Sequence, residues 1–317
     1  MDRVIEWLLE NDNPAVRFYT CKYILGDKNC SYTSYFNDYE LTEKQMVSYE
    51  SVKSILKLQH TDGWWFENSY FFNPLYKNTF WQLYFLSLLG VTRIIKSINK
   101  AVKLIVKNMQ SEKGSFPSTK KYKGDLICMQ GIALEMLMRF GYLEEDFTKK
   151  LILFINDIVY RNDFRCKYRQ QLKCPWGAVK ILKAFNLIPD KNRDAHIKTT
   201  INKSTKFLLG HNIVEAKYPR KKSRSGQWFI FGFPRGFQSD ILELTAVLVE
   251  AGCSISNSNL RNALKYIVDK RLSDGTWNLE TSLNGRMLVD IEKKNKPSKW
   301  LTFIALKTLL KSGYLKL

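Results

Sequence analysis

The chain has only three histidines, His60, His196 and His211, and no two of its six cysteines stand as C-x-x-C. The zinc-finger and thiol-redox spacings that can be read directly from a sequence are therefore missing. The cysteines (Cys21, Cys30, Cys128, Cys166, Cys174 and Cys253) are scattered, and Met1-Asp2-Arg3 leads into an amphipathic helical pattern with no secretory leader. Free thiols and a cytoplasmic protein are the expectation. Glycine and proline are sparse, 16 and 8 residues in 317, which excludes collagen-like sequence. Long apolar runs are missing too. The most apolar stretch, 80–91, spans about twelve residues and contains Gln82, too short for a transmembrane segment. Negative charge is also in deficit: 30 Asp+Glu face 50 Lys+Arg, a net charge of +20. Such a surplus favours nucleic acid, an anionic membrane surface or a phosphorylated ligand. The abundance of Lys, Asn and Ile is equally what a compositionally biased coding sequence yields, so part of the charge needs no partner.

What is present is core material, with 45% hydrophobic and 14% aromatic residues, well above a disordered chain. Helical periodicity dominates and clean strand alternation is almost absent. The pattern predicts helices near 2–10, 14–25, 43–59, 78–90, 93–109, 125–140, 145–160, 174–187, 194–210, 239–252, 258–271 and 298–313. Gly26, Gly90, Gly141, Gly252 and Gly313 stand just past apolar turns as helix stops, and Pro14 and Pro175 stand at helix starts. The expectation is an all-α fold in a single domain over 1–317.

A repeat runs through it. Gln59-His-Thr-Asp-Gly63-Trp-Trp65 reads Q-x-x-x-G-x-W, Gln110-Ser-Glu-Lys-Gly114-Ser-Phe116 reads Q-x-x-x-G-x-F, and Arg271-Leu-Ser-Asp-Gly275-Thr-Trp277 fits with Arg for Gln. Degenerate copies start near Tyr160, with Phe164 and Cys166 at the Gly and aromatic positions, and near His211. The spacing is about fifty residues with one longer step, each unit being helix, turn, loop and second helix. Five such units over 43–313, with an N-terminal helical hairpin over 1–26, make six hairpins that either stack openly or close into a ring.

These turns at this spacing resemble the repeats of the terpenoid cyclase and protein prenyltransferase superfamily, including its small prenyltransferase-like and squalene-cyclase-like members. The resemblance implies an α/α toroid of inner and outer helices around a central cavity. It places inner-helix starts near Thr79, Cys128, Cys174, Asp240 and Lys299. It does not extend to the catalytic motifs: the acidic D-x-D-D run of proton-initiated cyclases is absent, Asp125-Leu-Ile-Cys128 has the wrong spacing for a prenyltransferase zinc pair, and Pro175 follows Cys174 where a lanthionine cyclase would have histidine.

On that frame five candidate sets stand beside their plainer readings. Lys77, Lys123 (with Lys121), Lys173, Arg235 and Lys299 (with Lys296) precede inner helices, where they would hold a phosphate or diphosphate with the helix N-termini, or else are solvated loop residues. Cys128 and Cys174 would ligate Zn²⁺ with Cys166 or Asp240, or else are core thiols. Asp240 is the candidate catalytic acid or base, or else a helix cap. Trp81, Trp176 and Trp300 recur within three residues of an inner-helix start, either lining a cavity or packing in the core. An insertion over 212–237 carries Lys217, Arg220, Lys221, Lys222 and Arg224, which would grip nucleic acid or anionic lipid, or else form a solvated loop. The leading expectation is an isoprenoid or other apolar, phosphate-bearing ligand in a central cavity, with transferase or cyclase chemistry open. The alternative is a non-catalytic toroid that binds peptide, lipid or nucleic acid through a basic face.

Overall fold

Polar residues set where the helices begin. The side chains of Asn13, Asn78, Asp194, Asp240, Asn257 and Ser298 each accept a hydrogen bond from the backbone N–H three residues on. Each cap satisfies a donor that the first helical turn leaves unpaired. The computed structural model describes residues 2–26, 42–66, 70–117, 126–166, 170–219 and 226–316. Its helices are α1 (Asp2–Leu8), α2 (Pro14–Thr20), α3 (Glu43–Ser48), α4 (Glu50–Lys57), α5 (Thr79–Leu88), α6 (Lys96–Met109), α7 (Ile127–Phe140), α8 (Asp146–Asn162), α9 (Pro175–Phe185), α10 (Ala195–Leu209), α11 (Ile241–Glu250), α12 (Ser258–Asp269) and α13 (Lys299–Lys311). The fold is all-α, with one small antiparallel pair, Arg165–Cys166 against Leu172–Lys173.

Two helical expectations are corrected. The segment 43–59 is two helices, broken at Tyr49, which adopts an extended conformation and turns its ring into the core. The segment 14–25 ends in a π-helical turn, Cys21–Leu25. The expectation of free thiols also fails at one position: Cys21 is disulfide-bonded. Cys128, Cys166, Cys174 and Cys253 are free.

The helices fall into two kinds. Every residue of α5 is buried, and α7, α9, α11 and α13 are buried on nearly all sides. By contrast α6 buries the stripe Ile98, Ala101, Val102, Ile105 and Met109 and leaves its lysines outside, the pattern of a helix with one wet face. The buried helices touch in succession, α5 to α7, α7 to α9, α9 to α11 and α11 to α13, and α13 then meets α1 and α2. Outside them α6 packs on α5, α8 on α7, α10 on α9 and α12 on α11.

The repeat turns explain how each pair is strapped together. Gln59 Nε2 donates to the Gly63 carbonyl (2.9 Å) and the Ser97 carbonyl (3.3 Å), and Gln110 Nε2 donates to those of Gly114 (2.9 Å) and Phe147 (2.8 Å). One amide thus ties its own turn to the start of the next outer helix. Arg271 keeps the first of these bonds, its Nε donating to the Gly275 carbonyl at 3.0 Å. The aromatic then reaches back ten residues: Trp65 Nε1 donates to the Ile55 carbonyl and Trp277 Nε1 to that of Ile267, both at 2.8 Å.

The degenerate copies keep this geometry without the consensus residues. Gly63, Gly114 and Gly275 have φ of 98°, 91° and 90°, and Phe164 and Ala216 occupy the same place with φ of 62° and 48°. Ala216 sets the fourth repeat one residue later than the His211 start, as Asn212-Ile-Val-Glu-Ala216-Lys-Tyr218. Tyr218 replaces the tryptophan, its hydroxyl donating to the Leu208 carbonyl ten residues back at 2.7 Å. At Gly114 the need for glycine is steric as well as conformational, since a Cβ there would lie 2.5 Å from the backbone C and O of Lys150. Gly114→Ala is therefore expected to lose about 1–3 kcal/mol in urea unfolding. A change under 0.5 kcal/mol would contradict the strap.

Candidate functional site

A cavity of about 580 Å³ opens between α2, α5, α7, α9, α11 and α13. One wall is aromatic. Phe233 stacks on Trp300 with centroids 4.6 Å apart, Tyr19 lies 6.2 Å from Trp300, and Tyr19 stacks on Phe303 and on Tyr23, each at 5.9 Å. All five rings line the cavity. The π-helical turn places Tyr23 and Lys22 there, a local distortion of the kind often found at functional positions.

The cavity also has charged lining, part of it from a cluster buried inside otherwise apolar helices. Glu135 and Arg139 lie one turn apart on α7, Lys180 and Lys183 on α9, and Glu243 in the first turn of α11. Lys180 Nζ donates to both oxygens of Glu243 at 2.8 Å. Lys183 Nζ bridges Glu243 Oε1 at 2.9 Å and Glu135 Oε1 at 3.1 Å. Arg139 Nε donates to Glu135 Oε1 at 2.8 Å, and the Tyr84 hydroxyl of α5 to Glu135 Oε2 at 3.1 Å. Glu135 and Lys180 are wholly buried, whereas the side chains of Arg139 and Lys183 keep 25% and 21% of their exposure and line the cavity.

Burial by itself would raise the Glu243 pKa, but Lys180 and Lys183 more than reverse this and hold it at about 2. Glu135 follows the same logic: burial raises it and Lys183, Arg139 and Lys180 bring it below its ordinary value. Burial lowers Lys180, and Glu243 offsets only part of that. Both carboxylates are thus held ionised, as strongly paired buried acids are.

The approach of α7 to α9 that makes this network possible depends on small residues. A Cβ on Gly131 would lie 2.6 Å from the Lys180 carbonyl carbon and 2.7 Å from Ile181 N, and one on Gly177 would lie 2.4 Å from Ile127 Cγ2. The two backbones meet one turn before Glu135, which puts Glu135 beside Lys183.

The residues expected at the inner-helix starts divide. Arg235, Asp240 and Trp300 line the cavity. Asp240 is buried and fully engaged: Oδ1 accepts from Glu243 N at 2.8 Å, and Oδ2 accepts from Gly232 N at 3.1 Å and from Arg235 Nε at 2.7 Å. It is the cap of α11 and the partner of Arg235. Arg235 is likewise engaged, its Nη2 donating to the carbonyls of Gln227 at 3.1 Å and Ile230 at 2.5 Å.

Among the described residues the other expected cations do not line the cavity. Lys173 is paired with Asp163, and Lys299 is buried between Glu10 (2.8 Å) and Asp12. Lys77 is half-buried ahead of α5, and Lys121 and Lys123 lie outside the described residues. Carboxylates of the same chain pair three of the expected cations, Lys173, Arg235 and Lys299. Trp81 is wholly buried, its Nε1 donating to the Phe71 carbonyl at 2.6 Å, and Trp176 packs partly buried against the core, so neither reaches the cavity.

Cys128, Cys166 and Cys174 do converge. Hydrogen bonding to Cys166, together with burial, pushes the Cys174 thiol well above its ordinary pKa, and burial and Cys166 push Cys128 to about 12. Cys174 Sγ also caps α9, accepting from Gly177 N at 3.4 Å. Cys128 and Cys174 are buried thiols with raised pKa, and among the described residues no group of three or more His, Cys, Asp or Glu is placed to hold a metal ion. Of the basic insertion, Lys217 pairs with Glu215 at 2.6 Å, and Arg220, Lys221, Lys222 and Arg224 lie outside the described residues.

No family model matches the chain, and no curated protein matches it. Among solved structures it is similar to the type II terpene cyclase MstE from Scytonema, ligand-free, at 10% identity over 86% of this chain and 98% of that one, with a TM-score of 0.32. Variants of that cyclase match comparably. One, in complex with geranylgeranyl dihydroxybenzoate (substrate), is 9% identical over 85% of this chain and 95% of that one; another, with merosterolic acid A (product), is 10% identical over 86% and 97%. Both have TM-scores of 0.32. No helix among the described residues is long and apolar enough to cross a membrane.

Proposed function

We propose that this chain binds an amphiphilic small molecule of isoprenoid or similar apolar type in a central cavity, and that its hairpins close into an α/α toroid around that cavity. The observation that carries the reading is the mixed lining of the cavity. Stacked Phe233, Trp300, Tyr19, Phe303 and Tyr23 offer a surface for an apolar body, and Arg139 and Lys183 in the same lining offer charge. A cavity of about 580 Å³ has the size of a small-molecule site and suits a chain of a few isoprene units. The succession α5, α7, α9, α11, α13 and α2 supports the ring, since the lining comes from every one of these helices.

Binding is the function proposed. Asp240, the candidate acid or base, has both oxygens committed as hydrogen-bond acceptors, so it positions Arg235 and caps α11 instead of delivering a proton.

The test is direct. Native mass spectrometry of freshly purified protein is expected to show an apolar adduct that organic extraction removes. Farnesol added afterwards should quench tryptophan fluorescence through Trp300 and raise the Tm. Ala246 lines the cavity, and Ala246→Trp should fill it and weaken farnesol binding by about tenfold or more. No adduct, no quenching and no Tm shift together would overturn the reading.

A further inference from the structure

The charged clusters of this protein differ in whether they are complete. Lys299 is closed by Glu10 and Asp12, and Arg235 by Asp240 and two backbone carbonyls, whereas Glu250 serves two lysines, Lys307 (2.8 Å) and Lys311 (2.5 Å), and leaves one positive charge over. The α7–α9–α11 cluster is not closed. It holds three cations, Arg139, Lys180 and Lys183, against two carboxylates, Glu135 and Glu243, and so carries one positive charge in excess.

The donors tell the same story. Arg139 uses Nε on Glu135, and among the described residues neither of its Nη groups donates a hydrogen bond to a protein acceptor. Lys183 has three N–H protons and two carboxylate partners. Both residues line the cavity. At 25% and 21% exposure, these donors stand at the cavity wall where a bound anion can replace water on them.

We propose that the cavity's ligand carries a carboxylate-type head with a single negative charge, held by the Nη edge of Arg139 and by Lys183. This rests on the reading that the cavity holds an apolar ligand and adds its head group. The planar guanidinium fork matches a carboxylate through two parallel N–H···O bonds, a geometry a lysine cannot offer. One negative charge balances the cluster. A diphosphate would bring more negative charge than the single excess of this cluster can match. The tail then lies along the aromatic wall. This inverts the arrangement expected from the helix starts, with the anion at the α7–α9 wall instead of beside Arg235.

Calorimetric titration of the full chain with farnesol, farnesoic acid and farnesyl diphosphate separates the possibilities, since the three share one tail. The acid is expected to bind about tenfold or more tighter than both the alcohol and the diphosphate. Arg139→Gln should abolish the preference for acid over alcohol, and Arg139→Lys should recover only part of it. Equal affinity of wild-type protein for acid and alcohol overturns the head-group assignment while the cavity reading stands, and so does tightest binding of the diphosphate. These wild-type comparisons hold even if a variant fails to fold. If none of the three binds, the cavity reading itself fails, and this inference with it.

Discussion

Glu243→Gln is expected to remove about 3–5 kcal/mol of folding stability at neutral pH, because it leaves the wholly buried Lys180 without its carboxylate. The size follows from the titration. A carboxyl that titrates at about 4.5 in the unfolded chain and at about 2 in the fold contributes roughly 3 kcal/mol, at ~1.4 kcal/mol per unit. Because the folded pKa is the lower one, this stability is fully present above about pH 4.5. It is lost as pH falls toward 2. Denaturant unfolding from pH 7 down to pH 2.5 should therefore show the wild type losing stability across that window. The variant should start lower and lose less. Replacing the charges together, as Lys180→Met with Glu243→Leu, should restore much of the loss, since apolar pairs of similar volume replace buried ion pairs without large penalty. A single variant within 1 kcal/mol of wild type at pH 7 would show that the network does not stabilise the fold.

Gly131→Ala is expected to cost about 2–3 kcal/mol although alanine is the better helix former by about 1 kcal/mol. The added Cβ meets the α9 backbone at Lys180 and Ile181, which cannot rotate away as a side-chain tip could. The damage should extend to ligand binding. Moving α9 from α7 separates Lys183 from Glu135 and shifts both of the cations that line the charged wall. Urea unfolding measures the first effect and the ligand-induced Tm shift the second. Gly226→Ala is the control: nothing lies within 4 Å of a Cβ there, and stability should hold within about 0.5 kcal/mol. Equal stability of the Gly131 and Gly226 variants would mean that the close approach of the two helices is not required.

Much of the scaffold was legible in the residue pattern because it rests on local chemistry. The starts that the family resemblance placed near Thr79, Cys128, Cys174, Asp240 and Lys299 fall within one residue of observed helix starts, where capping and apolar periodicity act within a few residues. The turns at Gln59, Gln110 and Arg271 were visible because their bonds run from the first position to the fifth, and the fourth repeat was misplaced by one residue because Ala216 and Tyr218 keep the backbone shape while hiding the consensus.

The site was legible only in part. Arg235, Asp240 and Trp300 reach the cavity, but Trp81 and Trp176, at the same register, do not, since register fixes position along a helix and not the direction of a side chain. The network of Glu135, Arg139, Lys180, Lys183 and Glu243 went unread although its signal was present: charged residues placed inside helices otherwise apolar on every side.

By itself the amino-acid sequence determined the all-α class, the approximate place of most helices and the repeat, because each follows from interactions between residues within a few turns of one another. Only the tertiary structure decided which charges are paired and which face the cavity. Lys299 meets Glu10 and Asp12 from the far end of the chain, and Lys180 meets Glu243 across 63 residues, so neither pairing has a local trace. Among the described residues the Nη groups of Arg139 have no protein acceptor, and the helix packing around Gly131 sets that edge at the cavity wall.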